Sequence, residues 1–331
     1  MLRLPCLATA LTLSLLAAFL AALPARAQNF PERPITLIVP FAAGGASDVS
    51  SRIMGEAMGK ILGQAFVIEN VAGAGGATGS LRGKNAPPDG YTIGFAHMGT
   101  HAAAVATNPK LPYDPRKDFD YLGIHLSSPH LIIVRKDFPA QNLQEYIAYA
   151  KANGKGLKMG HNGVGSLSHL TCVLFFQLIN IEPTYVVYRG FGQTINDILS
   201  GAIDGTCDLV ASVSAHVLGG SARGFGLSTD TRFPLLPDVP TATEGGLPEF
   251  KINGWLGLYA PKNVPPAILA KLRDAALKAL ADPAVQKRLQ DLGGIIPPPE
   301  DRGGDRMLTI INTDVTRWTD VVRKAGGVTA Q

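Results

Sequence analysis

From residue 35 onward, short apolar runs alternate with stretches whose apolar positions recur every three to four residues. Ile35–Val39 is a compact apolar run closed by Pro40, the pattern of a buried strand. The glycine turn Phe41-Ala42-Ala43-Gly44-Gly45 follows. Ser47 or Asp48 can then cap a helix whose apolar face is Val49, Ile53, Ala57 and Ile61, with Gly63 suited to its C-terminal stop. Residues 66–68 read as the next strand. A second glycine turn, Gly73-Ala74-Gly75-Gly76, precedes a short helix to about Asn85, and Pro88-Asp89-Gly90 turns the chain into a strand at 91–95.

The alternation continues. Strands are predicted at 130–134, 158–160, 185–188, 208–213 and 255–260. Helices are predicted at 142–152, opened by the capping box Asn142-x-x-Glu145, at 166–179 and at 193–200. Another starts at Pro265 with Leu269, Leu272, Ala276 and Leu280 on one face, and a last one covers 305–325. Strand and helix repeated at short intervals predict an α/β fold with doubly wound parallel sheets. Possible crossings at 127–129 and 247–254 divide the chain into a discontinuous outer domain, 28–128 plus 254–331, and a middle domain, 129–253.

The first segment reads differently. Arg3 precedes an apolar run, 7–23, broken only by Thr9, Thr12 and Ser14; Pro24 and Ala25-Arg26-Ala27 follow. This is the pattern of a secretory signal peptide, 1–27, cleaved after Ala27. Cys6 lies ahead of the apolar run and is not placed to anchor a lipid. Export places the protein in the periplasm. There an oxidising medium permits Cys172 and Cys207 to pair, although two buried thiols are the simpler reading.

Composition narrows the function. The 331 residues include only three Cys, too few for a disulfide scaffold, and the net charge of +4 comes without a long basic run, which argues against a nucleic-acid partner. Gly73-x-Gly75-Gly76-x-x-Gly79 misplaces the third glycine of a dinucleotide fingerprint. Gly83-Lys84-Asn85 lacks the rest of a phosphate loop, and neither GxSxG nor HExxH occurs. His97-x-x-x-His101 has no third ligand nearby, so neither metal nor cofactor is expected.

What remains is a pair of glycine turns, each where a strand ends and a helix begins. Exposed helix N-terminal amides and small residues make such places suited to an anion, a carboxylate in particular. Tight turns alone would also explain the glycines. Asp48 could orient the first turn or meet a ligand, with a helix cap as the simpler role. Ser166, Ser168 and His169 offer donors at a helix start, or serve capping and packing. Arg189 could meet a carboxylate or lie solvated on the surface.

Taken in order, the motifs resemble one family. They are Pro31-Glu32-Arg33-Pro34-Ile35, Val39-Pro40-Phe41-Ala42-Ala43-Gly44-Gly45 with Asp48 and Arg52, Glu69-Asn70, the second glycine turn with Gly79, and Pro88-Asp89-Gly90-Tyr91-Thr92. Gly99-Thr100-His101-Ala102, Leu111-Pro112-Tyr113-Asp114-Pro115, Gly165-Ser166 with His169-Leu170, and Tyr188-Arg189-Gly190 follow. Leu236-Pro237-Asp238-Val239-Pro240-Thr241, Gly245-Gly246-Leu247-Pro248, Trp255-x-Gly257-Leu258-x-Ala260-Pro261 and Ala281-Asp282-Pro283 complete the series. This resembles the extracytoplasmic solute receptors of tripartite tricarboxylate transporters, also called Bug receptors.

The resemblance implies a two-lobed Venus-flytrap fold, an acid held between the lobes, delivery to membrane permease subunits, and a monomer without enzymatic activity. It implies a carboxylate held by the glycine turns, at Phe41, Ala42 and Gly44 and at Gly75 and Gly76, partly through water. Met98, Thr100 and His101, then Asn162, Ser166, Ser168 and His169, would line the rest, with Arg189 beside them and Asp208 at a place where the family often has an acidic residue. His97, Met98, His161 and Asn162 stand where the family commonly has Ser or Thr, and Phe191 where it has a small residue; these departures point to a bulkier or aromatic acid, while dicarboxylates, tricarboxylates and amino acids also fit the resemblance. Two other outputs fit such a chain: sensing for a two-component system, or an exported hydrolase using Ser166 and His169, which would share a helix face.

Overall fold

Three parallel strands open the fold where the apolar runs place them. The computed structural model describes residues 30–324; the expected signal segment, 1–27, lies outside them. Strand β1 (Ile35–Val39) pairs in parallel with β2 (Phe66–Asn70) on one side and β3 (Thr92–His97) on the other. Helix α1 (Ala46–Leu62) connects β1 to β2, and α2 (Ala77–Lys84) connects β2 to β3. Ile53, Met54, Ala57 and Met58 are the buried face of α1, whereas Ile61 is 42% exposed. Each four-residue step over-rotates a helix by about 40°, so Ile61 has turned roughly 120° away from Val49.

After β3 the chain makes a π turn, Gly99–Ala103, and a single helical turn, α3 (Ala104–Thr107). It then enters the 17-residue β4 (Phe119–Arg135). The second half of the molecule holds α4 (Leu143–Asn153), β5 (Lys158–His161), α5 (Leu167–Leu178), β6 (Thr184–Val187), α6 (Phe191–Ser200), β7 (Gly205–Leu209), α7 (Val210–Leu218) and β8 (Ala222–Leu227). The chain returns through β9 (Asn253–Pro261) to α8 (Pro266–Ala281), α9 (Pro283–Asp291) and α10 (Gly304–Lys324).

The strands form one nine-stranded arrangement, β2-β1-β3-β9-β4-β7-β5-β6, with β8 also on β4. It is mixed rather than parallel throughout. Residues 119–129 of β4 pair antiparallel with β9, while 130–135 pair antiparallel with β7 and β8. The outgoing strand β4 and the returning strand β9 lie side by side, and neighbours that cross in opposite directions must run antiparallel. The result is the two-lobed α/β fold expected, with the carboxyl ends of β1, β3, β5 and β7 facing the space between the lobes.

Two local expectations fail. Residues 208–213 are not one strand: β7 ends at Leu209 and α7 begins at Val210, with Val210, Ala211, Val213 and Ser214 buried at helical spacing. A short apolar run cannot by itself distinguish the two. Cys172 and Cys207 are not free thiols. Helix α5 packs on β7 with their Cα atoms 5.2 Å apart, and the two fully buried residues are joined as a disulfide.

The bond closes a loop of 35 residues. Cys172→Ala with Cys207→Ala is therefore expected to lower the unfolding free energy by roughly 3–4 kcal/mol in urea titrations; a loss under about 1 kcal/mol would show that the cross-link does not constrain the unfolded chain.

Candidate ligand-binding cleft

The first glycine turn is held from below. Asp48, in the first turn of α1, accepts hydrogen bonds from the Gly44 amide (3.2 Å), from Arg52 Nη2 (2.9 Å) and from Asn70 Nδ2 (3.1 Å). Asn70 Nδ2 also donates to the Phe41 carbonyl (3.0 Å). Burial pushes the Asp48 pKa up, but the bonds from Arg52, Asn70 and Gly44 outweigh it and the carboxyl titrates below its usual range. The cap position belongs to Gly45. Asp48 thus orients the turn and does not line the cleft.

The second turn presses on the opposite lobe. Gly75 has φ +63°, and a Cβ there would lie 2.4 Å from the Val164 carbonyl oxygen. The first turn does the same nearby: the Ala42 amide donates to the Arg189 carbonyl (3.2 Å), and a Cβ on Gly190 would meet Ala42 N at 3.0 Å. The Ala46 amide donates to Ser212 Oγ (3.3 Å). The lobes are therefore closed on each other, backbone against backbone, wherever a side chain would keep them apart.

Between these contacts lies a cleft of about 30 Å³. Helix N-terminal residues from both lobes build its wall: Ala46 and Ser47 of α1, Leu167 and Ser168 of α5 with its cap Ser166, Phe191 of α6, and Ser212 of α7. Among the described residues, no Lys or Arg side chain lines it. The first turn of each helix carries amides without an intrahelical partner and the positive end of the helix dipole. Helix ends of this kind are suited to an anion without a cationic side chain.

The remaining wall is polar and neutral, with one exception. His97 Nδ1 accepts from the Thr100 amide (3.1 Å), which leaves the ring proton on Nε2, and the ring stacks on Phe41 with centroids 4.9 Å apart. Burial lowers the His97 pKa to about 4 and that of His130 to about 3, so both are neutral imidazoles at pH 7. The exception is Asp208, 4% exposed at the end of β7. It accepts from Asn162 Nδ2 (2.8 Å) and from the Leu209 amide (2.7 Å), and the nearby Ser212 hydroxyl helps to favour its ionised form. Burial dominates nonetheless and pushes its pKa up to about 6.

Of the residues expected at the site, Phe41, Ala42, Asn162, Ser166, Ser168 and Asp208 line this cleft together. Gly75 belongs to the contact between lobes, and Gly44 and Gly76 flank it. Met98, Thr100 and His101 are buried and outside the cleft wall. The π turn rotates His101 away, onto the rings of Tyr113, Phe119, Tyr121 and Tyr259. The His169 ring packs against His161, tilted by 34° with centroids 4.3 Å apart, and its Nδ1 accepts from the Gly165 amide. Arg189 is exposed and lines an adjoining cleft of about 490 Å³ with Gly73, Gly75 and Asn162.

Ser166 Oγ caps α5 by accepting the His169 amide (3.3 Å) and lies 3.2 Å from Ser168 Oγ. Among the described residues no group of three or more His, Cys, Asp or Glu side chains is placed to hold a metal. Ser47, His130 and Ser212 line the cleft unforeseen. Ser212 escaped notice because 208–213 reads as a strand; once α7 is seen to begin at Val210, Ser212 is a first-turn residue.

The geometry has counterparts among known proteins. The sequence pattern of tripartite tricarboxylate transporter family receptors matches residues 50–326. Protein BugT of Bordetella pertussis is 30% identical over 309 residues, 92% of this chain and 93% of that protein. The structure of MatC from Rhodopseudomonas palustris with bound malate is 39% identical, with TM-score 0.85 over 88% of this chain and 99% of that one. The periplasmic binding protein BugD is 32% identical, with TM-score 0.88 over 91% of this chain and 100% of that one.

Two outcomes test this geometry. Gly75→Val should hold the lobes apart, giving a larger radius of gyration by small-angle scattering and a ligand affinity at least about tenfold weaker, near 1.4 kcal/mol; an unchanged envelope would show that the contact does not govern closure. Asp208 titrates higher in the folded chain than the roughly 3.9 of a free carboxyl, so its favourable contribution is complete below about pH 4 and lost as pH rises through about 6. Asp208→Asn, which carries no charge, should accordingly stabilise the unliganded protein at pH 7.5 by on the order of 1–3 kcal/mol and hardly at pH 4, read as thermal unfolding. Equal effects at both pH values would contradict the assigned titration.

Proposed function

This chain belongs to the tripartite tricarboxylate transporter receptor family, and from that premise we propose that it captures a small dicarboxylate in the periplasm and delivers it to the membrane permease subunits of such a transporter. The family and fold are those of solute-binding receptors, not of enzymes. The observation that carries the ligand class is the convergence of four helix N-termini on one closed cleft whose wall contains no Lys or Arg. In this reading residues 1–27 direct export. The lobes are 28–128 plus 254–331 and 129–253, and they close by a hinge motion through β4 and β9.

A compact diacid fits better than a bulky aromatic one. His97 and Phe191 line the cleft and their rings take up room in it, while Met98 and His161, the other bulky departures, stand outside its wall. The related MatC was solved with malate, an acid of the size proposed. The glycine turns contribute by letting the lobes approach until the helix ends surround the ligand.

Calorimetry on the purified protein with C4 to C6 diacids and benzoate tests the reading. At least one diacid should bind, benzoate should bind far more weakly, and converting one carboxylate of the bound acid to its methyl ester should cost at least about 100-fold in affinity, near 2.7 kcal/mol. Binding that survives esterification, or chemical conversion of the ligand during the titration, would end the proposal.

A further inference from the structure

We propose that Asp208 makes this cleft select acids bearing a hydrogen-bond donor, a hydroxyl or an ammonium, on the carbon beside a carboxylate, over the same acids without it. The inference rests on the carboxylate reading above and names the subclass of acid.

The argument is one of matching donors to acceptors. Helix amides and the Nε2–H of His97 donate, and the serine hydroxyls of the wall can donate; all suit the oxygens of a carboxylate. Asp208, when ionised, can only accept. Among the described residues that line the wall it carries the only formal charge. An ionised carboxylate offers about four acceptor positions. Asn162 Nδ2 and the Leu209 amide fill two of them.

Neighbours prevent this arrangement from rearranging to suit a plain acid. Asn162 Oδ1 accepts from Thr194 Oγ1 (3.3 Å), so its amide is held with the NH₂ toward Asp208. An unsubstituted diacid therefore brings further negative charge into the cleft and leaves the open acceptor positions of Asp208 desolvated and unpaired. A hydroxyl supplies the missing donor, and an ammonium supplies the donor and a countercharge. Sites built to hydrogen-bond a ligand group reject the analogue lacking it far more strongly than apolar pockets reject a missing methylene. Burial adds to the requirement, since it raises the cost of an unpaired carboxylate.

Matched triads provide the test: succinate, malate and aspartate; glutarate, 2-hydroxyglutarate and glutamate. Calorimetry is run at pH 8, where Asp208 is ionised, on the wild type and on Asp208→Asn. In at least one triad the wild type should bind the hydroxy or amino acid at least about 30-fold more tightly than the plain acid; which of the two wins tells hydroxyl from ammonium. Asp208→Asn should narrow that ratio to about threefold or less, by weakening the substituted acid and strengthening the plain one. Equal affinity for all three members in the wild type overturns the inference without any variant. So does a preference that persists in Asp208→Asn, or binding of carboxylates outside the triads with none inside them. If no carboxylate of any kind binds, it is the underlying carboxylate reading that fails.

Discussion

The antiparallel pairing of β4 with β9 is the constraint from which the rest of the molecule follows. One strand of 17 residues serves both halves of the sheet, and its neighbour brings the chain home. The two halves are thereby fixed in register with each other, and the helix-bearing ends of their strands face a common space. A fold with parallel strands alone would need crossover helices between the lobes. Those helices would occupy the space in which a ligand can be held.

Inside that space the chemistry is economical in charge. Helix ends contribute fixed dipoles already aimed by the fold, so no flexible cation has to be ordered when an acid arrives. The histidines nearby are buried and neutral, acting as donors or packing surfaces rather than as counter-ions. Asp208 is the element that does not fit a generic anion cradle: a buried carboxylate on the wall of the cleft, held by Asn162 Nδ2 and the Leu209 amide.

Much of the fold was legible in the order of residues. The run 35–39, the stop at Gly63 and the capping box at Asn142 and Glu145 all depend on neighbours within a few positions, and local physics decides them. Glu145 does accept from the Gln141 amide while Asn142 accepts from the Glu145 amide. Part of the cleft was legible for the same reason: Phe41 sits at a strand end and Ser166 at a helix start that the alternation predicts, whereas Asp208, which reads locally as the first residue of a strand, was expected there only from the family resemblance.

The rest depends on three-dimensional context. Whether His101 faces the cleft or the aromatic core is settled by a π turn that nothing local announces. His130 reads as an ordinary strand residue until β4 is seen to pass from one lobe to the other at that point. The boundary between β7 and α7 moved because a run of apolar residues suits both states, and Ser212 moved with it. Whether two cysteines 35 positions apart meet is decided by how α5 lies on β7.

That last contact reaches further than stability. Cys207 immediately precedes Asp208, and Cys172 lies one turn beyond the segment carrying Ser166 and Ser168, so the covalent link staples together the two pieces of backbone that present most of the polar groups of the middle lobe. A batch of protein made in a reducing cytosol and a batch secreted through an oxidising compartment would have identical masses to within two hydrogens and yet be different reagents. Anyone comparing ligand preferences between laboratories would have to know which one was in the tube.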